Sequence, residues 1–126
     1  MRVFKNKWFT RWADGESIPD SVLWAAASDV VAGRVDADLG GRLFKKRLAR
    51  AGQGKSGGYR TIIGYRKANS DRVVFLYAFA KNAKGNISDK EEAALSLAAE
   101  SFVNTTDSQI SQMLLEGLIR EVIGHE

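Results

Sequence analysis

The sequence predicts an α+β fold: a small antiparallel sheet, made of a three-strand meander plus a short N-terminal strand, with helices along one side. Two observations carry this. Three β-rich segments follow one another between residues 42 and 80, separated only by turn-like residues. Helical patterns with start and stop signals lie on both sides of them in the sequence.

The elements follow in order. Met1 to Lys7 (MRVFKNK) alternates and reads as a short strand. KWFTRWA, Lys7 to Ala13, reads as one or two helical turns. Trp8 and Trp12, four apart, then share one face, as core or as a platform for stacking bases. PDSVLWAAASDVVAG, Pro19 to Gly33, has Pro at its start, alanines throughout and Gly as its stop, so it is a helix. ADLGG, Ala37 to Gly41, reads as a turn. RLFKKRLA, Arg42 to Ala49, is the first meander strand, and alternation separates Leu43, Lys45 and Arg47 from Phe44, Lys46 and Leu48. YRTIIGYRK, Tyr59 to Lys67, is the second, and the strongly apolar RVVFLYAFA, Arg72 to Ala80, is the third and the expected centre of the sheet. Ser88-Asp89-Lys90-Glu91 is a capping box that opens a helix to about Phe102. A last helix, capped by Asp107 or Ser108, is expected to run to His125, with Ile110, Met113, Leu114, Gly117, Leu118 and Val122 on one face. At 126 residues the chain is expected to form a single domain, 1–126, with 107–126 as a C-terminal helical extension.

Composition narrows the chemistry. There is no cysteine, and the one histidine is His125. Disulfides, thiolate metal sites and histidine clusters are therefore excluded, and no cofactor is expected. No signal peptide or long apolar run is seen, so a cytoplasmic protein without membrane contact is expected. The net charge of +4 hides an asymmetry: residues 34–84 carry thirteen basic and three acidic groups, whereas residues 85–126 carry two basic and eight acidic ones. So concentrated a basic segment points to a polyanionic partner.

One stretch raises a specific question. Ala49 to Ser56, ARAGQGKS, has the spacing of a phosphate-cradling P-loop. That motif requires a buried strand before it and a helix beginning at its Lys-Ser. Here a basic segment precedes it and the strand-like GGYRTIIGYR follows, so the stretch is expected to be a hairpin loop. Its phosphate ligand would then be a nucleic-acid backbone rather than a nucleotide. Aligned strand ends would bring Lys45, Arg47, Arg60, Lys55, Lys81 and Lys84 together, since neighbouring strands lie about 4.8 Å apart. Arg60, behind two glycines, could fork two phosphate oxygens. RNA cleavage through its own 2′-OH needs a base, cations around the phosphorane, and an acid for the leaving oxygen. Without a usable histidine, a lysine whose pKa is depressed by crowding would serve.

DLGGRLFKKRLARAGQGKSGGYRTIIGYR, RVVFLYAFAKNAKGNIS and DKEEAALSLA together resemble the RelE/ParE toxins of bacterial type II toxin–antitoxin systems. The GKSGGYR block and the F-x-K-N-x-x-x-N-I loop are nearest to the HigB-like branch. The resemblance spans roughly Trp8 to Phe102. It implies the RelE-like fold and, for most of the family, ribosome-dependent endoribonuclease activity: an mRNA interferase that blocks translation. By resemblance Lys55, Arg60 and Lys81 are the catalytic residues, and Lys45, Lys46, Arg47 and Lys84 hold RNA. It also implies a cognate antitoxin, expected to carry a helix-turn-helix, with the ribosome and mRNA as further partners. A homodimer through the C-terminal helix is a further expectation. RelE-type enzymes usually carry an aromatic or imidazole group near the C-terminal segment, and this chain has no tyrosine after Lys81, so the base is unassigned. Tyr59 or Tyr65 could substitute only by facing the site. The ParE branch shares the fold but poisons DNA gyrase, so a non-nucleolytic toxin, a nucleic-acid binder or an inactive remnant is the alternative.

Overall fold

The computed structural model describes residues 1–50, 54–67 and 71–124, and for residues 50 and 54–57 the backbone alone. The elements run β1 (Arg2–Asn6), α1 (Lys7–Gly15), α2 (Asp20–Val31), β2 (Ala37–Gly40), β3 (Leu43–Arg50), β4 (Gly54–Arg66), β5 (Arg72–Ala80), α3 (Asp89–Val103), α4 (Asp107–Leu115) and β6 (Ile119–Glu121). The expected meander is β3-β4-β5. It sits inside a six-stranded sheet of order β2-β3-β4-β5-β1-β6, with β4 and β5 at its centre.

Three expectations are corrected. The sheet is mixed rather than antiparallel, because β1 runs parallel to β5, with Val3 opposite Val73 and Lys5 opposite Phe75. The helices cover both faces, not one. Val3, Phe9, Leu23, Ala27, Leu48, Ile63, Val73 and Phe75 form one core cluster with α1 and α2. Phe4, Leu43, Ile62, Val74, Leu76, Ala99, Phe102 and Ile110 form the other with α3 and α4. The physical reason is visible in β5, where successive residues from Arg72 to Leu76 are all buried, so both faces must be covered. ADLG is a strand, not a turn: Ala37 lies opposite Lys45 and Asp38 opposite Phe44.

A further correction concerns the C-terminus. The last helix does not reach His125 but stops at Leu115. Gly117 adopts a left-handed φ of 72°. Its N–H donates to Leu114 O, and Leu118 N–H donates to Met113 O, the bonding that closes a helix with glycine after its cap. The freed chain turns back as β6, antiparallel to β1. The start also differs: Thr106, not Asp107 or Ser108, caps α4, in a capping box with Gln109. The Ser88–Glu91 box opens α3 as expected. His125 lies outside the described residues.

Candidate nucleic-acid interface

The site rests on strand register. Arg47 on β3 lies directly opposite Arg60 on β4, and Arg60 lies opposite Phe79 on β5. Two residues along, Lys45 faces Ile62 and Ile62 faces Tyr77. Alternation places this row on the α3 side of the sheet, with Leu43 and Ile62. Two arginines opposed across neighbouring strands repel each other, which folding does not require. Asp36 offsets part of this: it accepts from the Arg47 Nε and backbone N, each at 2.7 Å. Burial alone would raise the Asp36 pKa, but the Arg47 backbone N–H, its guanidinium and nearby Lys46 hold it below the ordinary carboxylate value.

Two further cations approach from the end of β5. Lys81 is exposed, and its backbone N–H donates to Gly58 O at 3.2 Å, which sets it level with the glycines before Arg60. Lys84 gives its ammonium to both Glu91 oxygens, at 2.6 and 2.5 Å. That hydrogen bond raises the Lys84 pKa and, with the Ser88 backbone N–H, lowers that of Glu91. The Lys84 Nζ also lies 5.5 Å from the centroid of the Tyr77 ring.

Lys46 stands apart from this set. Alternation turns it to the opposite face, where it is buried and bridges Asp29 on α2 at 3.2 Å and Arg34 O at 3.1 Å. Arg72 is likewise committed to the fold, donating to Phe102 O at 3.1 Å and to Asp107 at 2.9 Å. The Lys55 side chain lies outside the described residues. Its backbone belongs to β4, which already runs from Gly54, so the helix that a P-loop needs at its Lys-Ser is not there.

The tyrosines sort in the same way. Tyr59 is buried on the α1 side and donates to Glu16 at 2.7 Å. Tyr65 is buried there too and donates to Asp71 at 3.2 Å. Of the three tyrosines in the chain only Tyr77 packs with the core on the arginine side. Sequence reasoning passed over it and Glu91. The signal for Glu91 was the capping box, whose acidic residue can also receive a cation.

A cavity of about 470 Å³ lies on the other layer, lined by residues including Glu16, Val22, Leu48 and Tyr59. Its described lining contains no cation, so the arginine row, not this cavity, is the surface suited to a polyanion. Among the described residues no cluster of carboxylates or imidazoles could hold a metal ion, and no helix is long and apolar enough to cross a membrane.

No curated protein and no solved structure matches this chain in the comparisons made. One family model does: that of the RelE toxin of the RelE/RelB toxin–antitoxin system, over residues 1–122. The α+β fold with its central β3-β4-β5 meander agrees with that match. The chain therefore belongs to the RelE family of toxins, the toxic half of a toxin–antitoxin pair that has a cognate antitoxin.

Proposed function

We propose that this toxin, of the HigB-like branch, is a ribosome-dependent mRNA interferase. The observation that carries the reading is the cross-strand Arg47–Arg60 pair, with Lys45 on its face and Lys81 beside its end. In this reading Arg60 forks two oxygens of the scissile phosphate, and Arg47 and Lys81 oppose the charge that grows on the phosphorane. The 2′-OH attacks phosphorus, the P–O5′ bond breaks, and the 5′ oxygen takes a proton from whichever of the two lysines, Lys55 or Lys81, does not act as base, leaving a cyclic phosphate and a free 5′-OH. Lys55 or Lys81 takes the 2′ proton, and Lys45 and Lys84 hold the flanking backbone. Lys46, committed to Asp29, is left out of the RNA-holding set.

An antitoxin of helix-turn-helix type would act by covering this basic face. Exposed Leu115, Leu118 and Ile123 support a contact with a second copy through the C-terminal segment, now formed by the end of α4 and by β6 rather than by one long helix.

The test is expression of the wild type and Arg60→Ala in a bacterial host, with 5′ ends mapped on translated and untranslated versions of one message. Cuts confined to the translated message, and lowered about 100-fold or more by Arg60→Ala, are the expected result. Growth arrest with intact mRNA would move the reading to a gyrase-type poison, and no arrest to an inactive remnant.

A further inference from the structure

We propose that Trp8 and Tyr77 form a seat for an unstacked RNA base beside the arginine row. The inference rests on the RNA reading above and deepens it by assigning where a base, rather than the backbone, is held.

The placement follows from where β1 ends. β1 pairs with β5 only as far as Lys5 opposite Phe75. Asn6 then caps α1 by accepting from Phe9 N–H at 2.7 Å, while its own amide donates to Leu76 O at 2.9 Å. The first turn of α1 is thereby fixed beside the part of β5 that β1 leaves unpaired. Trp8, in that turn, has its ring centroid 4.7 Å from that of Tyr77. Tyr77 lies 6.1 Å from Phe79, the strand partner of Arg60. A continuous aromatic path thus leads from Trp8 to the arginine row.

Trp8 is not used as core. It is 43% exposed, whereas its neighbour Phe9 is fully buried. Trp12 stacks nearly parallel to Trp8, 7° between the planes at 6.5 Å, and its other contacts run inward to Phe9 and Tyr59. An exposed indole in contact with two further rings has little side-chain entropy left to lose, which suits it to stack on a base. Lys84 adds a cation at the Tyr77 ring, fixed by Glu91, where the phosphate next to a seated base would lie. The favoured ligand is therefore a single-stranded nucleotide with its base on the aromatics and its phosphate on the arginines.

The experiment compares two probes: a 2′-O-methyl RNA hexamer of mixed sequence, which cannot be cleaved through its 2′ position, and inorganic polyphosphate, which offers charge without bases. Trp8→Ala is expected to weaken hexamer binding about 10- to 100-fold and to leave polyphosphate binding unchanged, whereas Trp8→Phe retains most of the hexamer affinity. Arg60→Ala should weaken both probes. Polyphosphate binding also reports that the Trp8→Ala protein is folded. Equal binding of the hexamer by the wild type and Trp8→Ala, or equal loss of both probes, would overturn the seat. Failure of the wild type to bind the hexamer while translated messages are still cut would overturn the seat and leave the nuclease reading standing. Absence of both would remove the reading as well.

Discussion

Lys46 and Arg47 are adjacent in the chain and do unrelated work. Lys46 is buried against α2, with its ammonium on Asp29 and Arg34 O. Arg47 stands 41% exposed on the other face, opposite Arg60. Their substitution should therefore read out differently. Lys46→Ala is expected to lower stability by about 1–2 kcal/mol, since it removes a buried ammonium from its bonds to the half-exposed Asp29 and to Arg34 O, while Asp29 keeps Arg34. Its cleavage pattern should stay that of the wild type. Urea unfolding and 5′-end mapping on the same preparation would check both halves. The side each residue takes was legible from alternation alone. That one of the two cations would be consumed by the fold was not, because Asp29 lies seventeen residues away on a helix whose packing the sequence does not state.

Two joints between elements carry further predictions. At Gly64 on β4, a Cβ would stand 3.0 Å from both the Ala99 and Val74 side chains and 3.3 Å from the Ala99 Cα. The third of these is backbone of α3, so the helix must move. Gly64→Ala is expected to cost about 1–3 kcal/mol, measurable as a lower thermal midpoint. The second joint is the clasp of β6 onto β1. Arg2 donates twice to Glu121, each bond 2.9 Å, across 119 residues of sequence. That hydrogen bond holds the Glu121 pKa below its ordinary value against the opposing effect of burial, and raises that of Arg2. A carboxylate with a depressed folded pKa contributes stability fully present above its unfolded value, about 4.3, and lost as pH falls through the folded value. The wild type should therefore lose stability relative to Glu121→Gln on acidification below about pH 4.5, and the two should converge in acid. Urea midpoints at a series of pH values measure this, and parallel curves would contradict it.

Across the molecule, charge is sorted twice. Sequence concentrates thirteen basic groups in residues 34–84. Folding then commits some of them: Lys46 and Arg72 are buried and each pairs with a carboxylate, and Arg34 serves Asp29. Lys45, Arg47, Arg60 and Lys81 occupy the face and end of the sheet that the polyanion reading requires. Binding there should be governed by counterion release. For the uncleavable hexamer, Lys45→Gln is expected to flatten the slope of log affinity against log salt by about 0.7, the share of one phosphate contact on a single strand. Lys46→Gln should leave that slope unaltered. Titrations at several salt concentrations separate the two.

The sequence by itself determined the strands β3, β4 and β5, the helices α2 and α3, and the membership of Lys45 and Arg47 on one face. Each of these depends on signals within a few residues: alternation, a capping box, a glycine stop. Gly117 carried such a signal too, and reading it as part of an apolar helical stripe hid β6. The continuously apolar β5 likewise announced a strand covered on both faces. Only the tertiary structure decided that β1 lies parallel to β5, that Arg47 meets Arg60, and that Tyr77 rather than Tyr59 or Tyr65 lies on the arginine side. These depend on pairings between segments far apart in the chain, and on a bulge between Ile62 and Ile63 that resets the β4–β5 register. Local propensity carries no record of which distant partner a strand or a charge will meet. Register and packing set that, and here they bring Lys45, Arg47 and Arg60 onto one face of the sheet.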